Sequence, residues 1–301
     1  MSKRDLISIF DLSKTEIDEL IKEAIKLKHE DPPTFPLKGK VLAMIFEKSS
    51  TRTRISFEVG MYQLGGIGLY LNAKDLQLGR GETIQDTAKT ISRYVNAIMI
   101  RTFAHETVVQ FANAASIPVI NGLSDLLHPC QILSDLLTVY EKKGGYKGLT
   151  YAYIGDGNNV ANSWVEAAGV LGIRLKIATP PSYKPSETIL QKALLINPGS
   201  VVLYHDPVEA IKDADVVYTD VWVSMGEEDV RDRKLKEFSG FQINKSLLAH
   251  AKSNAIVMHC LPAHRGEEIT SEVIDSGQSV VFDQAENRLH MQKAILKFLI
   301  K

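Results

Sequence analysis

Short apolar runs alternate along the chain with longer stretches whose apolar residues recur at helical spacing. Residues 41–46 form an unbroken apolar run, which is the pattern of a strand buried on both faces. Further strands are predicted at 67–71, 96–100 and 117–120, and helical patterns lie between them. Because strands that alternate with helices usually pair in parallel, this part of the chain predicts a parallel sheet flanked by helices.

A second alternating series follows Gly144-Gly145. Its strands are predicted at residues 149–154, 174–178, 201–204, 215–219, 255–258 and 279–282, and a last helix at 284–300. Two such series joined by a helix predict an α/β fold of two similar lobes, each a parallel sheet flanked by helices. Open parallel sheets bind ligands beyond the carboxyl ends of their strands, so the active site is expected in the cleft between the lobes.

Composition narrows the class of protein. The chain has 301 residues, of which 45% are hydrophobic and 24% charged, as is typical of a globular protein. A net charge of −1 argues against binding to nucleic acid or to an anionic membrane. No apolar run approaches the length of a membrane span, and no signal-peptide pattern opens the chain. Two cysteines cannot form a disulfide framework, so a cytoplasmic enzyme is expected.

Polar chemistry is concentrated directly after the strand at 41–46. Three hydroxyls and two arginines follow within one turn, before helical spacing resumes at Ile55, Val59 and Tyr62; these are Ser50, Thr51, Arg52, Thr53 and Arg54. Free backbone N–H groups at a helix start favour an anion, and a guanidinium fits phosphate. A helix cap with solvated arginines would explain a single hydroxyl but not this set. The Gly-x4-Gly-Lys frame of a nucleotide P-loop is missing.

Other candidates also lie where predicted strands end. Arg101 follows the strand at 96–100, Asp220 ends the strand at 215–219, and Cys260 closely follows the strand at 255–258. His128 and Gln131, three apart at a helix start, can both point to a bound carbonyl. Arg288 is predicted in the first turn of the last helix, where the dipole disfavours a cation, so an anion is expected to hold it there.

The sequence has incomplete features of two kinds of cofactor site. Gly155-Asp156-Gly157 has part of a dinucleotide-binding fingerprint, but the third glycine and the later acidic residue are missing. Four side chains could in principle hold zinc, but neither pair has the usual ligand spacing: His128, Cys130, His259 and Cys260. No metal and no organic cofactor are therefore expected.

Several motifs of the chain resemble those of a known family. FEKSSTRTR at 46–54 resembles the carbamoyl-phosphate signature of the aspartate/ornithine carbamoyltransferase family. DVWVSMG at 220–226 and HCLP at 259–262 resemble the ornithine branch, whereas the aspartate branch usually carries a PLPR-type motif there. The resemblance runs nearly end to end. It implies a carbamoyl-phosphate lobe at 1–130 plus 287–301 and an ornithine lobe at 131–286.

The resemblance also implies roles for single residues. Carbamoyl-phosphate contacts are expected from Ser50, Thr51, Arg52, Thr53, Gln77, Arg101, His128, Gln131, Cys260, Leu261 and Arg288. Ornithine contacts are expected from Asn159, Asp220, Ser224 and Met225. Catalytic roles are expected for Arg101, His128, Asp220 and Cys260.

The implied reaction is carbamoyl transfer from carbamoyl phosphate to the δ-amine of L-ornithine, which gives L-citrulline and phosphate. The amine must lose a proton first, which costs about 4 kcal/mol near pH 7.5 for a pKa of about 10.4. Asp220 and Cys260 are expected near that nitrogen, and which group accepts the proton stays open. A carbamoyltransferase for another amine, such as aspartate or putrescine, and a catalytically silent phosphate-binding protein remain alternatives.

The family forms trimers whose sites are shared between neighbours. The loop at 74–83 resembles the segment that reaches across, and it is polar and glycine-bearing, as an exposed loop would be. A homotrimer or a multiple of trimers is therefore expected, with a role in arginine biosynthesis or arginine degradation.

Overall fold

The computed structural model describes residues 3–224, 226 and 228–301. The chain divides into two compact units, Met1–Leu137 with Glu286–Lys301, and Thr138–Ala285. Two helices contain the points where the chain passes from one unit to the other, Pro129–Lys143 and Val281–Leu299. Each unit contains one parallel sheet flanked by helices, which confirms the predicted fold class.

The first unit is built on a four-stranded sheet. Its strands are β1 (Val41–Phe46), β2 (Ile67–Asn72), β3 (Ala97–Arg101) and β4 (Val119–Leu123). They pair in the order β2-β1-β3-β4, and every pairing is parallel. β1 has the bounds expected from its apolar run, and Leu42 to Phe46 are buried because the strand is paired on both sides.

Helices of the first unit precede, connect and follow these strands. They are α1 (Lys14–His29), α2 (Thr51–Gln63), α3 (Ile84–Ile91), α4 (His105–Ala114) and α5 (Pro129–Lys143), with short 3-10 helices at Ile9–Asp11, Ala73–Asp75 and Gln77–Arg80. α1 begins at a capping box in which Ser13 and Glu16 satisfy each other's backbone N–H groups.

The second unit is built on a five-stranded sheet in the order β7-β6-β5-β8-β9, again parallel throughout. Its strands are β5 (Thr150–Ile154), β6 (Arg174–Ala178), β7 (Val201–Tyr204), β8 (Val216–Thr219) and β9 (Ile256–His259). Its helices are α6 (Asn159–Leu171), α7 (Glu187–Ile196), α8 (Pro207–Ile211), α9 (Arg231–Glu237), α10 (Lys245–Leu248) and α11 (Ser271–Ile274), with 3-10 helices at Pro181–Tyr183 and Glu228–Val230. The last helix, α12 (Val281–Leu299), begins in the second unit and continues in the first.

Strand order decides which loops meet. In the first unit β1, β3 and β4 are neighbours, and in the second unit β5, β8 and β9 are neighbours. Because the strands are parallel, the loops that follow each of these sets share one edge of their own sheet. Within the described part of the chain, no helix is long and apolar enough to cross a membrane.

Two sequence predictions of strands were wrong. Residues 279–282 are not a strand: Ser279 forms a single bridge to Val257 of β9, and α12 begins at Val281. An apolar run of four residues cannot distinguish a strand from the start of a buried helix, and here the backbone of Val280 accepts from Gln284 N–H.

The strand predicted at 117–120 instead covers Val119–Leu123. Asn121-Gly122 has the composition of a turn, but Asn121 pairs with Ile100 and Leu123 with Arg101, so Gly122 is left over as a bulge. A Cβ at Gly122 would lie 2.4 Å from Met99 Sδ, which explains the glycine.

Candidate active site

The polar turn after β1 is organised by Ser50, which caps α2. Its Oγ accepts from Thr53 N–H at 3.2 Å and donates to Thr53 Oγ1 at 3.1 Å. Thr53 is buried, Thr51 is exposed and Arg52 is half-buried. A helix start with a capped hydroxyl pair and an adjacent guanidinium has the features of a phosphate site.

Arg288 joins this turn to the start of α5. Its Nη2 donates to Thr53 Oγ1 at 3.0 Å, and its Nη1 donates to Gln131 Oε1. Nη1 also lies 3.5 Å from His128 Nε2, a long contact. Arg288 is only 2% exposed. The three groups named as its contacts, a hydroxyl, an amide and an imidazole, are neutral. We call Thr53, His128, Gln131 and Arg288 the Arg288 cluster.

The expected position of Arg288 within its helix was wrong. Because α12 begins at Val281, Arg288 lies in the second helical turn, and the dipole argument does not apply. The side-chain acceptors of the Arg288 cluster hold the guanidinium. Gln131 also connects the Arg288 cluster to Asp135, since its Nε2 donates to Asp135 Oδ1 at 2.8 Å inside α5.

His128 is neutral near neutral pH. Burial lowers the pKa of its imidazole well below 6.5, and the positive charges of Arg288, Arg101 and Arg52 lower it further. Arg101 is the last residue of β3, and its carbonyl accepts Glu47 N–H at 2.8 Å. Three guanidinium groups therefore act on one buried imidazole, a positive environment that favours an anion. Burial raises the pKa of the neighbouring Cys130 thiol to about 12, so this sulfur stays protonated.

The second unit brings Asp220 and Cys260 together. Asp220 follows β8, Cys260 follows β9, and Cys260 Sγ–H donates to Asp220 Oδ1 at 3.0 Å. Asn158, in the loop after β5, donates from Nδ2 to Asp220 Oδ2 at 2.9 Å. Both carboxylate oxygens of Asp220 thus accept a hydrogen bond. The donors follow β5 and β9, the two strands adjacent to β8.

The segment after β9 is held by His259. The His259 ring contacts Glu268 Oε1 through Nε2 at 3.0 Å and accepts Leu261 N–H at Nδ1 at 2.9 Å. His259 and Glu268 are fully buried. Leu261 has a φ of 58°, which is uncommon for a residue other than glycine, and its peptide bond to Pro262 is cis.

Two groups of side chains have the chemistry of metal ligands. Among the described residues these groups are Asp220 with His259 and Cys260, and His264 with Glu267 and Glu268, and within each group the ligand atoms lie within 4.8 Å of one another. In the first group the thiol donates to Asp220, and both imidazole nitrogens take part in hydrogen bonds. Hydrogen bonds with protein groups therefore account for the proximity of Asp220, His259 and Cys260.

The remaining predicted residues lie as follows. Gln77 is exposed and begins the 3-10 helix Gln77–Arg80, Asn159 is the half-buried first residue of α6, and Ser224 is half-buried in the loop after β8. Met225 lies outside the described residues.

Sequence reasoning missed three residues of this arrangement: Asn158, His259 as a holding group, and Glu268. Asn158 sits beside the predicted Asn159, but adjacency does not tell which of two amides turns towards Asp220. His259 and Glu268 are nine residues apart and are brought together by a loop, so no local sequence pattern predicts their contact.

Comparison with known proteins shows the family to which the chain belongs. The model of the aspartate/ornithine carbamoyltransferase carbamoyl-P binding domain matches residues 4–141, and that of the Asp/Orn binding domain matches residues 147–299. The chain is 58% identical to the ornithine carbamoyltransferase of Syntrophus aciditrophicus, over 99% of this chain and all of that one. It is 57% identical to that of Methanocorpusculum labreanum, over 98% of this chain and 97% of that one.

The structure superposes on ornithine carbamoyltransferase from Pyrococcus furiosus with a TM-score of 0.95 and 53% identity, over 99% of this chain and 97% of that one. The resemblance seen in the sequence is thereby confirmed. With two domain models that together match most of its length and relatives above half identity, this chain belongs to the aspartate/ornithine carbamoyltransferase family.

Proposed function

We propose that this protein is an ornithine carbamoyltransferase, which transfers the carbamoyl group of carbamoyl phosphate to the δ-amine of L-ornithine and releases L-citrulline and phosphate. The observation that carries the proposal is the Arg288 cluster, in which one buried guanidinium links the capped turn of α2 to His128 and Gln131.

The phosphate of carbamoyl phosphate binds at the start of α2. Backbone N–H groups, the hydroxyls of Ser50, Thr51 and Thr53 and the guanidinium of Arg52 supply donors there. As the carbamoyl bond to phosphate breaks, negative charge grows on the leaving group. Donors that are already in place stabilise this charge without reorganising.

The carbamoyl oxygen is polarised by Arg101 and His128, and Gln131 orients the carbamoyl group. A neutral imidazole suits this role, since it donates a hydrogen bond to the developing oxyanion without itself changing charge. Carbamoyl phosphate is already activated, so no cofactor is required by the chemistry.

Ornithine binds to the second unit through Asn159, Asp220 and Ser224, and Met225 is proposed as a fourth contact. Asp220 is an acceptor on both oxygens, as a partner for a substrate ammonium must be. Its charge and the thiol of Cys260 lie where the attacking amine is expected. Asp220, Cys260, water and the leaving phosphate are the candidate acceptors for the proton that the δ-ammonium loses.

The protein is further proposed to act in the cytoplasm in arginine metabolism, as a homotrimer or a multiple of trimers. An exposed apolar surface on α2 and the edge strand β2 supports assembly. It includes Ile55 (54% exposed), Tyr62 (78%) and Ile67 (58%). An uncovered edge strand with apolar side chains favours association with another chain.

A direct assay tests the proposed reaction. Purified protein is incubated with carbamoyl phosphate that is radiolabelled in its carbamoyl group, and with ornithine, aspartate or putrescine in turn. We expect labelled citrulline and an equal amount of phosphate with ornithine alone. A labelled product with aspartate or putrescine but not ornithine would replace the proposal with the corresponding transferase, and no product with any amine would leave only phosphate binding.

A further inference from the structure

Asn158 makes more contacts than a helix cap requires. It precedes α6, and its Oδ1 accepts from Val160 N–H at 2.9 Å and from Ala161 N–H at 3.2 Å. The same oxygen accepts from the hydroxyl of Tyr153, in β5, at 3.2 Å. Burial and the negative charges of Asp220 and Asp156 raise the pKa of Tyr153 well above its usual value, so this phenol keeps its proton.

These three donors determine the orientation of the Asn158 amide. An amide nitrogen cannot accept, so the atom that receives three N–H and O–H donors must be the oxygen. The Nδ2 group then points to Asp220 Oδ2, 2.9 Å away. Because Nδ2 only donates, Asp220 Oδ2 must accept, as Oδ1 does from the Cys260 thiol.

We propose that Asn158 is a positioning residue for Asp220. It anchors the carboxylate to the start of α6 and so sets the direction in which Asp220 meets the amines of ornithine. This inference rests on the proposed function, since it assigns Asn158 to the ornithine half of that reaction. Asn159, the neighbouring amide, is the expected substrate contact and is distinct from it.

The arrangement has a measurable consequence. A carboxylate held at one oxygen only can rotate about its Cβ–Cγ bond, and a charge-assisted hydrogen bond is lost. Loss of the hydrogen bond from Asn158 to Asp220 should therefore lower kcat/KM for ornithine. Binding of carbamoyl phosphate should change much less, because most of its expected contacts, at the α2 turn and the Arg288 cluster, belong to the first unit, and only Cys260 and Leu261 are expected from the second.

The variant Asn158→Ser separates positioning from helix capping. Serine caps a helix about as well as asparagine, but its short hydroxyl cannot cap and reach Asp220 together. We expect kcat/KM for ornithine to fall about tenfold or more, and the dissociation constant of carbamoyl phosphate to stay within about twofold. Asn244→Ser is the matched control, since Asn244 caps α10 in the same unit through Leu247 N–H. It should leave both quantities at wild-type values.

A second variant gives a readout that a purely structural role would not change. Asn158→Asp keeps the cap acceptor but sets a second carboxylate against Asp220, beside Tyr153 and Cys260 and near the buried pair of Asp156 with Lys234. Two adjacent carboxylates share a proton, so the pair titrates at higher pH. The acid limb of the pH profile for ornithine turnover should move up by about one pH unit or more.

The outcomes are distinct. Wild-type kinetics in Asn158→Ser, an equal loss of carbamoyl-phosphate affinity, or an unmoved acid limb in Asn158→Asp would each overturn the positioning role. Citrulline formation by the wild type together with the expected losses would support it. If the wild type forms no citrulline, the proposed function fails first, and the inference fails with it.

Discussion

Single residues show how this protein holds charge in its interior. Arg288 and Asp135 are both buried and are connected through the amide of Gln131, whose oxygen faces the guanidinium and whose nitrogen faces the carboxylate. A buried charge without hydrogen bonds would cost several kcal/mol. His128, next to this chain of contacts, stays neutral because burial and three arginines act on it in the same direction.

The neutral state of His128 predicts a pH dependence of stability. In the unfolded chain the pKa of this imidazole is about 6.5, so below that pH the unfolded state binds a proton. The folded state does not bind this proton, because the pKa of the buried imidazole is well below 6.5. Stability should therefore fall as the pH falls through this range, and His128→Gln removes the effect.

We expect the stability advantage of the wild type over His128→Gln to shrink by about 1.4 kcal/mol between about pH 7.5 and pH 5.5, measured by urea denaturation. A difference that is the same at both pH values would mean that His128 titrates normally in the folded state.

Packing between helices controls geometry at the scale of elements. α6 begins at Asn159 and is capped by Asn158, so its placement sets the position of both amides. Its Gly169 lies against α7, where an added Cβ would lie 2.8 Å from Ala193 Cα and 3.1 Å from Ala193 O. Backbone atoms cannot move aside as side chains do, so the two helices are in contact because this residue has no Cβ.

Gly169→Ala should therefore destabilise the protein, although alanine is the better helix former. We expect a net loss of about 1–3 kcal/mol in the free energy of unfolding, because the overlap outweighs up to about 1 kcal/mol of gained propensity. Gly277→Ala is the control, since nothing lies within 4 Å of its added Cβ, and it should change stability by about 0.5 kcal/mol or less. Equal effects of the two substitutions in thermal denaturation would contradict this account of the α6–α7 contact.

At the scale of the whole molecule, two units of the same architecture carry different chemistry. The first unit holds the positive cluster around Arg288 and the exposed Gln77, and the second holds Asp220 with its two donors. In the proposed trimer we expect Gln77 to contribute to the site of a neighbouring chain and Asp220 to contribute to the site of its own chain.

Mixed assemblies test this arrangement. Gln77→Ala and Asp220→Asn homotrimers should both be impaired at every site. In a cyclic mixed trimer at least one Gln77→Ala chain, whose Asp220 is intact, borrows Gln77 from an Asp220→Asn neighbour. Refolding the two variants together should give more citrulline formation than the average of the two refolded alone.

A second mixture provides the control. Asp220 and Cys260 contact each other within one unit, so Asp220→Asn mixed with Cys260→Ala should rebuild no complete site. Absence of recovery in the first mixture, with mixed trimers shown to form, would mean that Gln77 acts within its own chain.

Most of the helices and strands, and the type of chemistry, are predictable from the sequence alone. β1 and the capped start of α2 follow from an apolar run and a set of hydroxyls, because such patterns depend only on neighbours along the chain. The motifs from 46–54 to 259–262 sufficed for the family, which the relatives confirm.

Tertiary structure decided how distant segments meet. In the folded chain α12 begins at Val281, where the sequence predicts a strand. Arg288 contacts Thr53, which is 235 residues away in sequence. The tertiary structure also selects Asn158, rather than Asn159, as the amide that holds Asp220. The physical reason is that a hydrogen bond between remote residues depends on strand order and on the direction of each side chain, and no local pattern encodes either.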